Sequence, residues 1–436
     1  MFRGTTLAFK FKNLVFFVFF LFNYFILIYY KKYKMSKVNL EITPSNVTST
    51  GKVSFKSGNP VLQFIIGEQN RLLIGSSVRL QGKFSVFAKD GVANAIPQNA
   101  SSIRMSEQLG LYSVIESITL KSQATHQVIE EIKSYNRFMG SYLPSTSSLN
   151  DGLGHFNQTA LLKPSYQSQK IGVVDLPTGQ TTANSFCIHL PCGLFNGKVP
   201  IPLQRNNEGG LGGLLVEIQL APDSNVLFTD DASVDIDTAF YELKELSLVA
   251  EAQEIDPGAL PPQNSFEFNS ISSYFTTFNS ANAIVNFNLG LTRVLGVFGN
   301  MVPSSHINSR LHNGLACHYP TNADGSVAPI RQLFFTRGGE KFPIEYNINT
   351  IQRDAPTNQV QDPQIVRNYL NAIQKFSSIR RTSMTPRNSQ LAVSTLAATS
   401  TRIEGGSLAG IGCAYDVISG DGVSMSGVNF GINMDV

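Results

Sequence analysis

Two stretches of this chain carry the same order of short fragments about 230 residues apart, and such spacing is typical of a duplicated domain. In the first stretch the fragments are residues 79–82, 90–92, a strand-like run over 111–120 and an amphipathic helix beginning near Gln127. In the second stretch they are residues 310–314, 324–327, 342–348 and an amphipathic helix opened by Asp362 and Pro363. The repeat predicts two similar domains, with chance similarity of the fragments as the alternative.

The composition favours strands joined by long ordered loops. A chain of 436 residues is too long for one ordinary hydrophobic core, so its length suits two domains. Charged residues make up 15% of the chain, against about 25% in typical globular proteins, while Gly, Asn, Ser, Thr, Phe and Pro are plentiful. We therefore expect a β-rich protein.

Short strands are predicted throughout both halves, and several alternate apolar with polar residues, which places one face in a core. In the first half they are residues 61–66, 77–88, 112–120, 170–176, 186–190, 214–220 and 243–250. In the second half they are residues 265–271, 283–289, 293–298, 315–319, 332–336, 343–348 and a Gly-rich pair within 410–432. Many short strands without intervening helices predict an all-β, mainly antiparallel fold of two tandem sandwiches.

Each sandwich is expected to carry one short accessory helix. The first would begin near Gln127 and end at Gly140. Its apolar side would consist of Val128, Ile129, Ile132, Tyr135 and Met139, leaving Glu130, Glu131 and Lys133 in solvent. The second would have Asp362 as its N-cap and Pro363 as its first residue. Its apolar stripe would consist of Ile365, Val366, Tyr369, Leu370, Ile373 and Phe376. Such stripes are core packing, so neither helix is given a cofactor role.

A proline-rich stretch divides the two predicted domains. Pro257, Gly258, Pro261 and Pro262 prevent regular structure there, so the stretch is interpreted as a linker. The predicted organisation is a leader at 1–34, an N-terminal sandwich at 35–256, a linker at 257–264 and a C-terminal sandwich at 265–436.

The first 34 residues differ from the rest of the chain, because they contain nine Phe, six basic residues and no acid. Residues 14–30 form an apolar run that just reaches the shortest length able to span a bilayer, with Lys on both sides. One interpretation is therefore a membrane anchor. The favoured one is an upstream start that precedes an ordinary start at Met35, because the segment is rich in residues with A/T-rich codons.

The charge of the folded body argues against direct binding of nucleic acid. The net charge of the whole chain is +3, from 34 basic and 31 acidic residues. Removing the six basic residues of the leader leaves 28 against 31, a net charge of −3 for residues 35–436. Phosphate binding requires a basic arm or patch, so we expect no sequence-specific nucleic-acid partner.

Four cysteines are too few and too scattered for a disulfide framework in a chain of this size, so reduced thiols are expected. They are Cys187, Cys192, Cys317 and Cys413. The segment at 187–192, with His189 between two cysteines, does not have zinc-knuckle spacing and alternates like a buried strand. It is interpreted as structural.

No catalytic motif is found, so no enzyme activity, catalytic residue, metal or cofactor is predicted. The six histidines form no metal-ligand pattern, and residues 209–213 lack the spacing and ending of a phosphate-binding loop. The closely spaced acidic residues at 230–237 could in principle bind calcium. The segment lacks the Gly and terminal Glu of an EF-hand, however, and is interpreted as an exposed loop. Arg380, Arg381 and Arg387 are interpreted as interface or genome-side charges.

Three short segments accompany the two predicted tandem sandwiches with their helices: 331–335 (RQLFF), 338–343 (GGEKFP) and 214–218 (LLVEI). In these segments and in this architecture the chain resembles the double jelly-roll major capsid proteins of Polinton-like viruses, adintoviruses and virophages. It covers most of the chain after Met35 and rests on order and architecture, since none of these motifs is as specific as a catalytic signature. The chain is short for the eukaryotic members, which commonly carry larger loop insertions.

The resemblance implies a viral major capsid protein, whose pseudo-hexameric homotrimers tile an icosahedral shell assembled inside the host cell. Its partners would be neighbouring capsomers, penton and minor capsid proteins, with the presence of an internal membrane left open. The alternative is a membrane-anchored adhesin or receptor-binding protein, with residues 1–34 as the anchor and glycosylation sequons at Asn46, Asn99 and Asn157. The lack of a disulfide framework argues against that alternative.

Overall fold

The structure is a computed structural model, and statements about it concern the residues that it describes. These are residues 36–47, 51–58, 60–90, 93–95, 103–106, 109–146, 184–197, 199–229, 236–256, 267–302, 304–315, 330–344, 347–349, 363–376, 410–415 and 420–435. The leader, the linker at 257–264 and the predicted strand at 170–176 therefore lie outside the described residues. No helix in the described part is long and apolar enough to cross a membrane.

Antiparallel sheets with few helices make up the molecule, which confirms the expected fold class. The first-half strands are β1 (Lys37–Ile42), β2 (Lys52–Val53), β3 (Val61–Ile66), β4 (Arg71–Leu73), β5 (Arg79–Asp90), β6 (Ala93–Ala95), β7 (Ile103–Met105), β8 (Ile115–Ser122), β9 (Val128–Ile132), β10 (Asn184–His189), β11 (Ile201–Pro202), β12 (Leu214–Leu220), β13 (Leu227–Thr229) and β14 (Phe240–Glu254). The second-half strands are β15 (Asn282–Asn288), β16 (Gly296–Asn300), β17 (Gln332–Arg337), β18 (Glu340–Lys341), β19 (Asn347–Asn349), β20 (Gly410–Ala414) and β21 (Asn429–Asp435). The helices are α1 (Tyr135–Thr146), α2 (Gly193–Asn196), α3 (Asp223–Val226) and α4 (Pro363–Gln374).

Two sheets enclose the core of the first half. The larger has the order β10-β5-β14-β4-β11, with β1 and β2 also paired to β14 and β6 to β5. The smaller has the order β3-β12-β8-β9, and a separate ribbon joins β7 to β13. Alternate residues of both sheets point inward, among them Phe84 and Tyr241 of one sheet and Phe64 and Ile118 of the other, and all four are buried in one hydrophobic cluster.

The second half has its own strand pairing and, among its described residues, a separate buried cluster. One sheet has the order β15-β21-β17-β18, with β19 also on β17, and a ribbon pairs β16 with β20. Leu333, Phe335, Phe430 and Tyr415 are buried in the second cluster. Among the described residues, every strand pair joins strands from the same side of the 257–266 gap.

Helix α4 belongs to the second half by sequence but packs into both cores. Ile365 is buried in the second-half cluster, whereas Tyr369, Ile373 and Phe376 are buried in the cluster of the first half. A Cβ atom at Gly410 of β20 would overlap the ring of Tyr369, so glycine permits the close approach of helix and strand there. The helix thereby joins the two halves.

The predicted helix from Gln127 is wrong in its first part. Residues 128–132 form strand β9, and the helix starts at Tyr135 and continues past Gly140 to Thr146. The β-branched residues of this segment fit a strand, and β9 pairs with β8 through partners such as Ile132 and Ile118. Helical spacing and strand alternation both place Val128 and Ile132 on one side, so the sequence pattern alone does not distinguish a helix from a strand here.

Several other predicted bounds differ from the structure. Strands β3 and β12 have the predicted bounds, but residues 110–114 form a 3₁₀ helix before β8 instead of a strand. Residues 267–271 have no regular structure, although a strand was expected over 265–271. In the predicted strand at 343–348 only Asn347–Asn349 pairs, and of the strand at 315–319 only Leu315 is described, in a turn.

Candidate functional site: the junction between the two halves

An aromatic cluster joins α1 of the first half to α4 of the second. The rings of Phe138 and Phe376 meet edge to face, with centroids 5.1 Å apart and an interplanar angle of 85°. Tyr142 approaches Phe376 in the same manner at 5.6 Å, and Phe298 of β16 lies 6.3 Å from Phe138. Edge-to-face pairs of this kind add about 0.5–1.5 kcal/mol to the free energy gained by burial. The cluster therefore stabilises the contact between halves.

A second contact is built around the buried carboxylate of Glu130 on β9. The backbone N–H groups of Gly193 and Leu194, at the start of α2, donate to its Oε1 and Oε2 atoms at 2.8 Å each. The Ser270 hydroxyl, which follows the 257–266 gap, donates to Oε1 at 2.7 Å. This side chain of β9 thus binds two other stretches of the chain, the start of α2 and the segment at Ser270.

Burial raises the pKa of Glu130, against the lowering effect of hydrogen bonds from Ser270, Leu194, Gly193 and Cys192. The sequence had predicted Glu130 in solvent, and this prediction is wrong, since the residue is only 4% exposed. The reason is tertiary, because its hydrogen-bond donors lie 63 to 140 positions away in the sequence. A buried carboxylate is tolerated when such donors compensate its lost hydration.

Close packing at Gly193 completes this contact. A Cβ atom there would overlap the carbonyl oxygen of Asn269 and lie 2.7 Å from Glu130 Oε1. The Asn269 side-chain amide donates to the carbonyl oxygen of Lys375, just after α4, at 3.0 Å. The segment at 267–271 therefore lies between α2 and the end of α4, and only glycine fits at position 193.

A loop of the second half, residues 304–315, docks on the first half by hydrogen bonds. The Thr229 N–H of β13 donates to the Arg310 carbonyl at 2.8 Å, and the Arg310 guanidinium donates to the Ala239 carbonyl at 3.0 Å. The Asn313 amide donates to the Ser106 hydroxyl at 3.2 Å. We call residues 304–315 the docking loop.

Two histidines stack at the base of the docking loop. The rings of His306 and His312 are nearly parallel, with centroids 4.2 Å apart, and Ser309 Oγ lies 3.0 Å from His312 Nδ1. Desolvation by burial and the neighbouring His312 lower the pKa of His306 to about 4. Arg310 carries a further positive charge on the same loop. The stacked arrangement therefore favours the neutral form of the His306 imidazole.

The cysteines that the structure describes are free thiols: Cys187, Cys192 and Cys413. Cys187 and His189 lie in β10, and Cys192 is buried directly before α2. Burial, and then the neighbouring Glu130, raise the pKa of Cys192 well above its ordinary value. Burial also raises the pKa of Cys413 to about 12, so both thiols stay protonated at neutral pH.

Of the other positions considered from the sequence, those that the structure describes form no common site. Within the described ranges no cluster of three or more His, Cys, Asp or Glu side chains could hold a metal. Of the acidic run at 230–237 only Ile236 and Asp237 are described, with Asp237 exposed. Arg380, Arg381, Arg387, Cys317, Asn99 and Asn157 lie outside the described residues.

The sequon at Asn46 is engaged with the backbone. Its side-chain amide donates to the Val61 carbonyl at 2.6 Å, and its Oδ1 atom accepts from the Gln63 N–H at 3.0 Å. Glycosylation would use the same amide nitrogen. The structure of this region is therefore unfavourable to modification at Asn46.

No protein-family model matches the chain, and no curated protein sequence matches it. Among solved structures, the chain is similar to the Sputnik virophage determined by cryo-EM, with 11% identity, a TM-score of 0.43 and coverage of 92% of this chain and 81% of that one. For PBCV-1 VP54 fitted into a reconstruction of Sputnik, the identity is 8%, the TM-score 0.47 and the coverage 92% and 84%. For the mavirus major capsid protein the identity is 11%, the TM-score 0.45 and the coverage 91% and 83%.

Proposed function

We propose that this chain is a viral major capsid protein with two jelly-roll domains. The observation that carries the proposal is the pairing of the described strands in two antiparallel sets, which divide at the 257–266 gap. The proposal agrees with the names of the similar structures, one of which is a major capsid protein, but it does not rest on that similarity.

The proposed domains are residues 35–256 and 265–436, with a linker at 257–264 and a leader at 1–34. Packing of α4 into the first core supports a fixed orientation of the domains, since a buried aromatic contact resists sliding. A subunit that tiles a shell has to hold such an orientation. The proposed role is structural, without catalytic activity or a cofactor.

The proposed assembly is a pseudo-hexameric homotrimer that meets neighbouring capsomers, penton and minor capsid proteins in an icosahedral virion. Low charge supports an assembling role, because charged residues are depleted in the cores of protein interfaces. The adhesin alternative relied partly on the sequon at Asn46, whose amide is already hydrogen-bonded to β3.

Electron microscopy and sedimentation of the purified recombinant chain test the proposal. We expect a trimer at micromolar concentration and closed particles or capsomer arrays when the concentration is raised. A strictly monomeric species that forms no particles under any of these conditions would contradict the proposed function.

A further inference from the structure

An aromatic segment with no regular secondary structure, residues 267–281, follows the 257–266 gap and leads into β15. Its first part is anchored, since Phe268 and Ile271 pack against the first core and Ser270 donates to Glu130. Tyr274 contacts the ring of Phe287 at 5.9 Å. We call residues 267–281 the aromatic segment.

Beyond these anchors the aromatic segment presents large apolar side chains to solvent. Phe275 is 67% exposed, Tyr274 48% and Phe278 41%. Because an aromatic side chain has an area of about 200 Å², the three expose roughly 300 Å² in total. A patch of this size lies within the range, about 300–600 Å², of the largest apolar patch on a soluble protein, and such patches are often functional.

The stretch of sequence that carries these side chains is uncharged. Residues 268–292 contain no Asp, Glu, Lys, Arg or His over 25 consecutive positions. The charges that flank this stretch, Glu267 and Arg293, lie 3.5 Å apart and pair with each other. Along the chain, Ser, Thr and Asn residues flank the exposed aromatic groups, a composition that suits an apolar centre with a polar rim in a protein interface.

The absence of charge selects among partners. Nucleic acid and anionic membrane surfaces are bound through Lys and Arg, which this stretch lacks. A charge that is buried in a contact without a partner costs free energy, whereas a surface without charges can be covered by another copy of the chain without that cost.

We propose that the aromatic segment, centred on Phe275 and Phe278, is a contact surface for a second copy of this chain. The inference rests on the proposed capsid function, in which each subunit is surrounded by copies of itself. A standard interface buries about 800 Å² on each partner, so the exposed aromatic groups would supply its apolar centre and the neighbouring Ser, Thr and Asn residues the remainder. Anchoring of the segment at Ser270 and Tyr274 limits the ordering cost of association.

Fluorescence tests this contact directly, because the chain contains no tryptophan. A Phe275→Trp variant of the full chain carries a single reporter at the proposed surface. We expect its emission to move to shorter wavelength over the same concentration range in which sedimentation shows association. Ile344, which is 77% exposed in the second half, provides the matched control, and Ile344→Trp should keep the emission of an exposed indole.

A second pair of variants measures the energy of the contact. The double variant Phe275→Asp, Phe278→Asp should weaken association at least about tenfold, since exposed aromatic anchors dominate such interfaces. Ile344→Asp should associate as the unchanged chain does, and circular dichroism should show that both proteins are folded.

The possible outcomes distinguish a failure of this inference from a failure of the proposed function. If the unchanged chain does not associate, the proposed capsid function and the inference both fail. If it associates while the introduced tryptophan stays exposed and the double Asp variant assembles normally, the inference alone is wrong. An emission shift caused by neutral phosphatidylcholine vesicles, and not by self-association, would also overturn it.

Discussion

Phe138 of α1 meets Phe376, which follows the end of α4, edge to face at 5.1 Å, although the two residues are far apart in sequence and belong to different halves of the chain. Both residues are buried in the core of the first half. The second half therefore contributes its helix to the packing of the first, so the two halves should not be independent in stability.

Truncation of this pair should reveal that dependence. We expect Phe376→Ala to lower the free energy of unfolding by about 3–5 kcal/mol, because it leaves a cavity between α1 and α4. A double-mutant cycle with Phe138→Ala should give a coupling energy of about 0.5–1.5 kcal/mol in urea denaturation. Ile344→Ala at an exposed site should change stability by less than about 0.5 kcal/mol. Strictly additive effects would show that the two rings do not interact.

Position 193 should accept glycine only. Gly193→Ala places a Cβ atom against the Asn269 carbonyl and Glu130, so we expect a loss of about 1–3 kcal/mol of stability. Gly290→Ala is the matched control, since a Cβ there meets no atom within 4 Å. Thermal unfolding of the two variants should separate them clearly, and equal melting temperatures would contradict the packing described around Glu130.

Acid should weaken the docking loop through His306. Its folded pKa is about 4, below the ordinary 6.5, so the unfolded chain binds the proton more tightly. The contribution of His306 is therefore complete above pH 6.5 and is lost as the pH falls from 6.5 towards 4. We expect the urea midpoint of the unchanged chain to fall more steeply over this window than that of His306→Gln.

Comparing the unchanged chain with His306→Gln removes the contributions of the other titrating groups, because both proteins contain them. Glu130 acts in the opposite direction, since its raised pKa makes its contribution largest at low pH and reduces it as the pH rises through the folded value. His126→Asn, at an exposed turn with φ 56°, serves as the control and should follow the unchanged chain. Parallel pH profiles for His306→Gln and the unchanged chain would rule out the stacked pair as an acid-sensitive contact.

The protein in particles should begin at or near Met35. The Phe-rich, acid-free composition ends at this position, where an ordinary start sequence follows. Intact mass spectrometry of protein taken from particles measures the start directly. A mass that includes residues 1–34 would refute this prediction, while the two-domain proposal would be unaffected.

Several elements of the fold could be predicted from the sequence because their information is local. Strands β3 and β12 alternate so regularly that their bounds agree with the prediction. Helix α4 begins at Pro363 as predicted, because proline suits the first turn of a helix and apolar residues follow at helical spacing. The mainly antiparallel class follows from the same short, alternating segments.

The junction between the two halves is formed by tertiary contacts between residues that are distant in sequence, so no local pattern predicts it. Residues 128–132 suited both a helix and a strand, and pairing with β8 settled the choice, which turned Glu130 inward towards Gly193, Leu194 and Ser270. His306 and His312 form no sequence motif, and only the fold of the docking loop stacks their rings. The sequence by itself thus determined the bounds of strands such as β3 and β12 and the start of α4. Only the tertiary structure decided which charged and aromatic side chains meet, because burial and hydrogen bonding depend on residues distant in the chain.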